Sequence, residues 1–310
     1  MTPGDTIAVM PGQKGDNSFK DIHVHLWPVK YTPKDLGIYF AKRGIADRLA
    51  RTVSAEGIIE MMDTNNIAAS AVCGVPYTGL GGDDLEAMNE YTHQEVMKSS
   101  GRLIGLCVVD PRGGSAALAR VRKWIEEKGF KGVKVHPAFQ ECYPNAPELY
   151  PLYALLQDYR LPVLFHSGPI GIAPAKDKYS PIESFDEVAC DFPSLPMILG
   201  HGGRPQYAQA ANLLRKHRNV AIDISANFAR LSGFESSPLQ ELLYQVKTLA
   251  GSFQRVLFGS DYPVYFQEET RRALHTATVA LNQRFDGFLQ EDDMRMIACR
   301  NFDAAFAASH

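Results

Sequence analysis

Asp21-Ile22-His23-Val24-His25-Leu26-Trp27-Pro28 reads as a short β-strand stopped by a proline. Ile22, Val24 and Leu26 alternate with polar residues, and side chains two apart on a strand point to the same side. His23 and His25 therefore face one way, side by side. Two imidazoles among apolar neighbours are costly to bury unless something uses them. A divalent metal is the commonest user. Two histidines do not complete a metal site, so other donors have to come from elsewhere in the chain.

Moving outward from this stretch, short apolar runs recur, most of them ended by Pro, Gly or Asp, and each followed by a helical pattern. Further strands are predicted at 67–75, 103–109, 132–136, 163–166, 197–199, 220–224 and 256–259. Helices are predicted at 54–66, 83–99, 115–127, 148–158, 182–192, 206–216 and 238–250, with two closing helices at 270–281 and 290–306. Ser54 is the N-cap candidate of the first, and Ile58, Ile59 and Met62 form its apolar stripe. Strand-helix alternation of this kind means a parallel sheet, and eight such units suit a closed (β/α)8 TIM barrel. An open doubly wound sheet is the alternative, but no GxGxxG follows the first strand. Residues 27–53, rich in aromatic and charged side chains, are too long for a plain turn. They are expected to form a loop insertion with a helix over one end of the barrel. Residues 1–20 read as a flexible leader and 21–310 as a single barrel domain, without internal repeats or a linker.

Composition narrows the function. Of the 310 residues 45% are apolar, enough for a sizeable core, and the formal net charge of -3 lacks the basic excess of a nucleic-acid binder. No apolar run is long enough to span a membrane, and no signal-peptide core precedes the first strand. Five scattered cysteines without a CxxC suit a reducing cytoplasm, and Cys73 and Cys107 read as core filler.

Residues fit for chemistry cluster at predicted strand ends. His23 and His25 end the first strand, Lys134 and His136 the fourth, His166 the fifth, His201 the sixth and Asp261 the eighth. In a barrel these ends converge on the face where active sites are built. Three imidazoles and a carboxylate can hold one Zn²⁺-like ion with a position left open. The nitrogen-rich set favours zinc, with manganese, iron or cobalt as alternatives. His136 alone is equally well read as bonding a loop carbonyl. Asp21 reads as support for the fold or for a histidine. Gly202-Gly203 marks a tight turn or a close approach of substrate. Arg204 is either a surface charge or a clamp for a substrate carboxylate.

The motifs His23-x-His25, Gly132-Val133-Lys134-Val135-His136-Pro137, His166-Ser167-Gly168, His201-Gly202-Gly203 and Gly259-Ser260-Asp261-Tyr262-Pro263 together resemble the amidohydrolase superfamily. The resemblance is closest to the branch of aminocarboxymuconate-semialdehyde decarboxylase, resorcylate decarboxylases and many lactone and amide hydrolases. It implies His23, His25, His166 and Asp261 as ligands of a single metal, with Asp261 also able to act as a base. It places His201 beside the metal, polarising substrate or moving protons. Binuclear members carry a carboxylated lysine at the end of the fourth strand. Lys134 lies two residues before His136, which leaves it a bridging ligand, a substrate-binding cation or a buried strand residue. Arg204, His136, Lys134, Trp27 and Tyr262 are the expected substrate contacts. Branch members often pair through helices beside the barrel, so a homodimer is expected.

The first functional expectation is hydrolysis, with a metal-activated water attacking an amide, ester or lactone carbonyl of a small acid-like substrate. The alternative is nonoxidative decarboxylation of an aromatic or unsaturated acid, which Arg204 and the aromatic residues of the first loop would suit. A binding protein without metal is disfavoured, because every expected ligand is present. Neither nucleic acid nor a membrane is an expected partner.

Overall fold

The computed structural model describes residues 18–171, 175–228 and 237–307. Eight parallel strands follow one another around the sheet in chain order: β1 (Phe19–His25), β2 (Ile67–Cys73), β3 (Leu103–Val108), β4 (Val133–Val135), β5 (Val163–His166), β6 (Met197–Gly200), β7 (Val220–Asp223) and β8 (Val256–Leu257). The seam between β8 and β1 is closed by the residues that continue β8. Ile22 N donates to Phe258 O at 3.0 Å, Asp261 N to His23 O at 2.8 Å and His25 N to Tyr262 O at 2.7 Å. This is a TIM barrel.

Thirteen α-helices are found among the described residues. Helices α1 (Lys34–Lys42), α2 (Leu49–Thr52) and α3 (Ala55–Thr64) separate β1 from β2, and α4 (Gly82–Lys98) and α5 (Gly114–Glu126) follow β2 and β3. The short α6 (Pro137–Gln140) and α7 (Tyr150–Tyr159) follow β4, α8 (Ile182–Asp191) follows β5, and α9 (Tyr207–Lys216) and α10 (Pro238–Ala250) follow β6 and β7. The chain closes with α11 (Gln267–Arg284), α12 (Glu291–Arg295) and α13 (Asn301–Phe306). Local chemistry sets the ends. Ser54 Oγ accepts from Gly57 N to cap α3, and Ser237 with Gln240 forms a capping box at α10, where Pro238 fills the first turn.

Strand side chains divide between two apolar layers. Val24, Val72, Val133, Phe165, Leu199 and Ile222 pack outward against the helices. Ile22, Ala71, Leu106, Leu164, Ile198 and Leu257 fill the barrel, joined by Phe302 of α13. Burying a side chain of this size stabilises the fold by roughly 1.5–3 kcal/mol, so both layers hold the strands in register. One irregularity shapes the site. Asp21 pairs with Ser70 and Val24 with Val72, so Ile22 and His23 together oppose Ala71. This β-bulge turns Ile22 into the barrel layer and still leaves both His23 and His25 facing inward. The simple alternation expected for this strand would have sent Ile22 outward with Val24.

The insertion at 27–53 has a core of its own. Trp27, Leu36, Phe40, Ile45, Leu49 and Val53 pack together over Val75, Met88 and Val108. Trp27 stacks on Phe40 with ring centroids 6.2 Å apart, and its Nε1 donates to Thr32 Oγ1 at 2.9 Å.

Several expected boundaries move. β1 begins at Phe19, inside the expected leader, while residues 1–17 and 308–310 lie outside the described residues. His136 is the N-cap of α6 rather than part of β4. The last helix is broken by a π-turn at Met296–Arg300. No helix is long and apolar enough to cross a membrane among the described residues.

Candidate metal centre

The C-terminal ends of β1, β5 and β6 and the seam after β8 bring five candidate donors together. One nitrogen each of His23 and His201 and one oxygen of Asp261 lie within 4.8 Å of one another. Asp261 Oδ1 is 3.0 Å from His25 Nε2 and 3.7 Å from His23 Nε2, and His201 Nε2 is 3.0 Å from His166 Nδ1. His23, His25, His166, His201 and Asp261 thus form one contiguous, buried cluster. The tightest trio includes His201, which the resemblance had placed beside the ion.

Hydrogen positions follow from the partners. His23 Nδ1 lies 2.8 Å from Asp223 Oδ2, an oxygen that accepts, so Nδ1 carries the hydrogen and Nε2 presents its lone pair inward. That lone pair faces Lys134 Nζ at 2.8 Å. Ser225 Oγ donates to Asp223 Oδ1 at 2.5 Å and accepts from His201 Nδ1 at 2.8 Å, leaving Nε2 of His201 as its lone-pair nitrogen. His166 Nε2 lies 3.1 Å from Gly168 O. A neutral imidazole has one N–H, so His166 cannot donate both to Gly168 O and to His201 Nε2. One of its two contacts sets lone pair against lone pair. A cation among these nitrogens removes that conflict, so the donor set fits a divalent ion.

Electrostatics point the same way. Burial, the Lys134 ammonium and Arg204 push the His166 imidazole down to about 3. Burial and its charged neighbours hold His23, His201 and His136 well below the ordinary histidine range, which keeps their nitrogens free to ligate. His25 differs: burial opposes its charge, but Cys73 and the hydrogen bond and charge of Asp261 push it up to about 9. Lys134 is lowered by burial. Asp21 is pushed up to about 6 by burial, although Ser260, Gln267 and the His23 amide hydrogen-bond its carboxylate. It braces β1 against α11 and the seam, as the sequence suggested.

His201 and Asp261 both have left-handed backbones, with φ of 65° and 66°. Non-glycine residues held there cost free energy and cluster at functional sites.

Above the cluster opens a cavity of about 570 Å³, a size suited to a small molecule. His25, His136, His166, His201 and Asp261 form its base, and Leu36, Val75, Phe139, Ile170, Phe228 and Val264 its apolar walls. Among the described residues two arginines line it. Arg43 is tied to Glu269 at 3.0 Å, to Tyr39 and to Val264 O. Among the described residues the Arg204 side chain makes one hydrogen bond, from Nη1 to Ala226 O at 2.6 Å, and has no acidic partner.

Two more expectations change. Trp27 and Tyr262, expected at the substrate, are buried in the walls and do not line the cavity, and Lys134 is fully buried beneath it. Nor do Gly202 and Gly203 make room for substrate. A Cβ on Gly202 would meet Leu242 Cδ2 at 2.7 Å, and one on Gly203 would meet Ile182 Cδ1 at 2.9 Å, so these glycines admit α10 and α8 side chains. His136 does line the cavity, its ring stacked between Phe139 and His166.

Asp223 and Ser225 were not singled out in the sequence, and Ser167 and Gly168 were noted only as part of a motif. Asp223 ends β7 as Asp261 follows β8, so the strand-end rule applied elsewhere would have found it. Ser167 Oγ joins Gly200 O to Gly203 N, and Gly168, at φ 83°, packs so closely that a Cβ would lie 1.9 Å from Arg204 O. Together they hold the turn that carries Arg204.

Sequence comparison places this arrangement. A family model described as amidohydrolase matches residues 21–301. The chain belongs to the amidohydrolase family. Among curated proteins no sequence match is found. Solved structures share the amidohydrolase's fold at low identity. An uncharacterized TIM-barrel protein from Bordetella bronchiseptica is 19% identical, with 94% of this chain and 99% of that one covered and a TM-score of 0.73. A 2,6-dihydroxybenzoate decarboxylase from Rhizobium is 15% identical over 94% and 99% of the two chains, with a TM-score of 0.69. A 5-carboxyvanillate decarboxylase from Novosphingobium aromaticivorans, complexed with manganese and a nitrobenzoic acid, is 15% identical over 94% and 96%, with a TM-score of 0.68.

Proposed function

We propose that this amidohydrolase is a divalent-metal-dependent, nonoxidative decarboxylase of a small aromatic or unsaturated carboxylic acid. The observation that carries the reading is the position of Arg204. Its guanidinium lines an aromatic and aliphatic cavity above the histidine cluster, with one carbonyl contact and no acidic partner among the described residues. Such a group suits an anionic, planar substrate. The sequence put hydrolysis first, but decarboxylases among the similar folds support the other reading better.

In this reading His23, His25, His166 and Asp261 would hold the ion, manganese as in the 5-carboxyvanillate enzyme or zinc by donor type. When bound, it supplies positive charge that orients the substrate's oxygens. Arg204 and His136 hold the substrate against the cavity base. Carbon–carbon cleavage leaves the electron pair on the substrate carbon, CO₂ departs, and that carbon takes up a proton. Asp261, 3.0 Å from His25, takes up a proton from solvent before the step and delivers it to that carbon, and His201 bonds a substrate oxygen. Hydrolysis would run Asp261 the other way, as acceptor of a proton from attacking water. Proton direction therefore separates the two chemistries at one residue.

The test is to load the purified protein with Mn²⁺ or Zn²⁺ and offer 2,6-dihydroxybenzoate, 5-carboxyvanillate and related acids beside lactones and amides. CO₂ release, with deuterium entering the vacated carbon in heavy water, is the expected result. Acid release from lactones or amides without CO₂ from any acid would replace this reading with hydrolysis.

A further inference from the structure

One carboxylate reaches two histidines of the cluster. Asp223 Oδ2 accepts from His23 Nδ1 at 2.8 Å. Its Oδ1 accepts three hydrogens, from His201 N at 3.0 Å, Ser225 N at 2.9 Å and Ser225 Oγ at 2.5 Å. Ser225 Oγ in turn accepts from His201 Nδ1. Asp223, Ser225 and His23 are all fully buried. The backbone is shaped around them. A Cβ on Gly259 would lie 3.0 Å from Asp223 Cγ, and one on Gly200 would lie 2.9 Å from His23 Cε1.

We propose that Asp223 and Ser225 are positioning residues that set the hydrogen position on His23 and His201, turning an Nε2 lone pair of each toward the centre of the site. The inference rests on the metal-centre reading and is independent of whether the reaction is decarboxylation or hydrolysis. The two oxygens of Asp223 have separate duties, and this makes the roles separable. In Asp223→Asn the three donors at Oδ1 retain the amide oxygen there. The NH₂ group then takes the place of Oδ2, where it can only donate to His23 Nδ1. With Lys134→Met in the same chain removing the donor that faces Nε2 at 2.8 Å, the hydrogen of His23 moves to Nε2 and its lone pair turns away from the site. His201 keeps its arrangement. Ser225→Ala does the reverse, removing the acceptor of His201 Nδ1 and leaving His23 untouched.

Nitrogen-15 NMR of histidine-labelled, metal-free protein reads these ring states directly, with assignments from His23→Gln and His201→Gln. The full-length protein is expected to show both rings protonated at Nδ1. Asp223→Asn with Lys134→Met should invert His23 alone, and its affinity for Zn²⁺ or Mn²⁺, measured by chelator competition, should fall by about 10–100-fold relative to Lys134→Met. Ser225→Ala should release His201 alone from the Nδ1-protonated form, and Ser225→Thr should restore it. A folded Asp223→Asn/Lys134→Met protein with His23 unchanged, or a Ser225→Ala protein with His201 unchanged, would overturn the proposal. If the double variant does not fold, the contrast between Ser225→Ala and Ser225→Thr decides. An inverted His23 ring with undiminished metal affinity would support the positioning role and count instead against the metal-centre reading.

Discussion

Lys134 Nζ stands 2.8 Å from His23 Nε2, and both side chains are fully buried. The ammonium faces the lone pair that Asp223 aims inward, and it has no carboxylate ion-pair partner among the described residues. Lys134→Met keeps the bulk and removes the charge. A buried ion without an ion-pair partner carries a desolvation penalty of several kcal/mol, which the variant removes. Thermal melts of the chelator-treated protein should therefore show Lys134→Met at least as stable as the parent. A loss greater than about 2 kcal/mol, well outside that expectation, would show that the ammonium ties the barrel together.

Arg204 is the one cavity cation without an acidic partner among the described residues. Arg204→Lys keeps the charge but loses the planar fork. A charged hydrogen bond is worth about 1.5–3 kcal/mol, so kcat/KM on an acidic substrate should fall roughly 10–100-fold, mostly through KM. Equal kinetics for Arg204→Lys and the parent would remove Arg204 from substrate recognition.

Gly168→Ala puts a methyl group where Arg204 O already lies, 1.9 Å from the new carbon, at a φ of 83°. Left-handed strain alone costs about 1–2 kcal/mol, and relieving the clash has to move the Arg204 turn. Denaturant melts should show the loss in stability, and KM should rise more than kcat falls.

Trp27 separates a structural from a substrate-binding role. It is fully buried against Phe40 in the core of the insertion. Trp27→Ala should cost about 3–5 kcal/mol of stability. Trp27→Phe, which retains the stacking, should leave KM unchanged. A raised KM in a stable Trp27→Phe protein would return Trp27 to the substrate.

Asp261→Asn tests the proton carrier. Loss of an acid or base costs about 10²–10⁴-fold in rate, while the amide oxygen can still reach an ion. Activity should fall further than metal content. His23→Ala, by contrast, should lose metal and activity together. Near-normal turnover by Asp261→Asn would move proton transfer to His201.

Strand order and the ring of strand-end residues were legible because apolar runs and their breakers are local signals. The clustered residues His23, His25, His166, His201 and Asp261 each lie at the end of such a run, so their convergence followed from the barrel. What escaped notice depends on contacts between distant segments. Trp27 and Tyr262 neighbour the site in sequence, but packing against Phe40 in one case and within the outer layer in the other decides that they turn away. His136 reads as the end of a strand, whereas its Nδ1 accepts from Phe139 N and begins a helix. The bulge at Ile22 and His23 leaves no mark in the hydrophobic alternation, because it is defined by pairing with Ala71.

That bulge has a consequence for anyone transplanting the His-x-His pair. In a regular strand, the residue before a site-facing histidine belongs to the outer layer. Here it also faces inward, so β1 supplies the floor of the barrel and a site-facing ring from adjacent positions. A graft that carries only His23 and His25 onto a regular strand would therefore bring the rings without their floor. Deleting one residue between Asp21 and Val24 would force a choice between filling the barrel and presenting His23. The portable unit is the bulged segment from Asp21 to His25 together with the Ser70 and Val72 partners that define it.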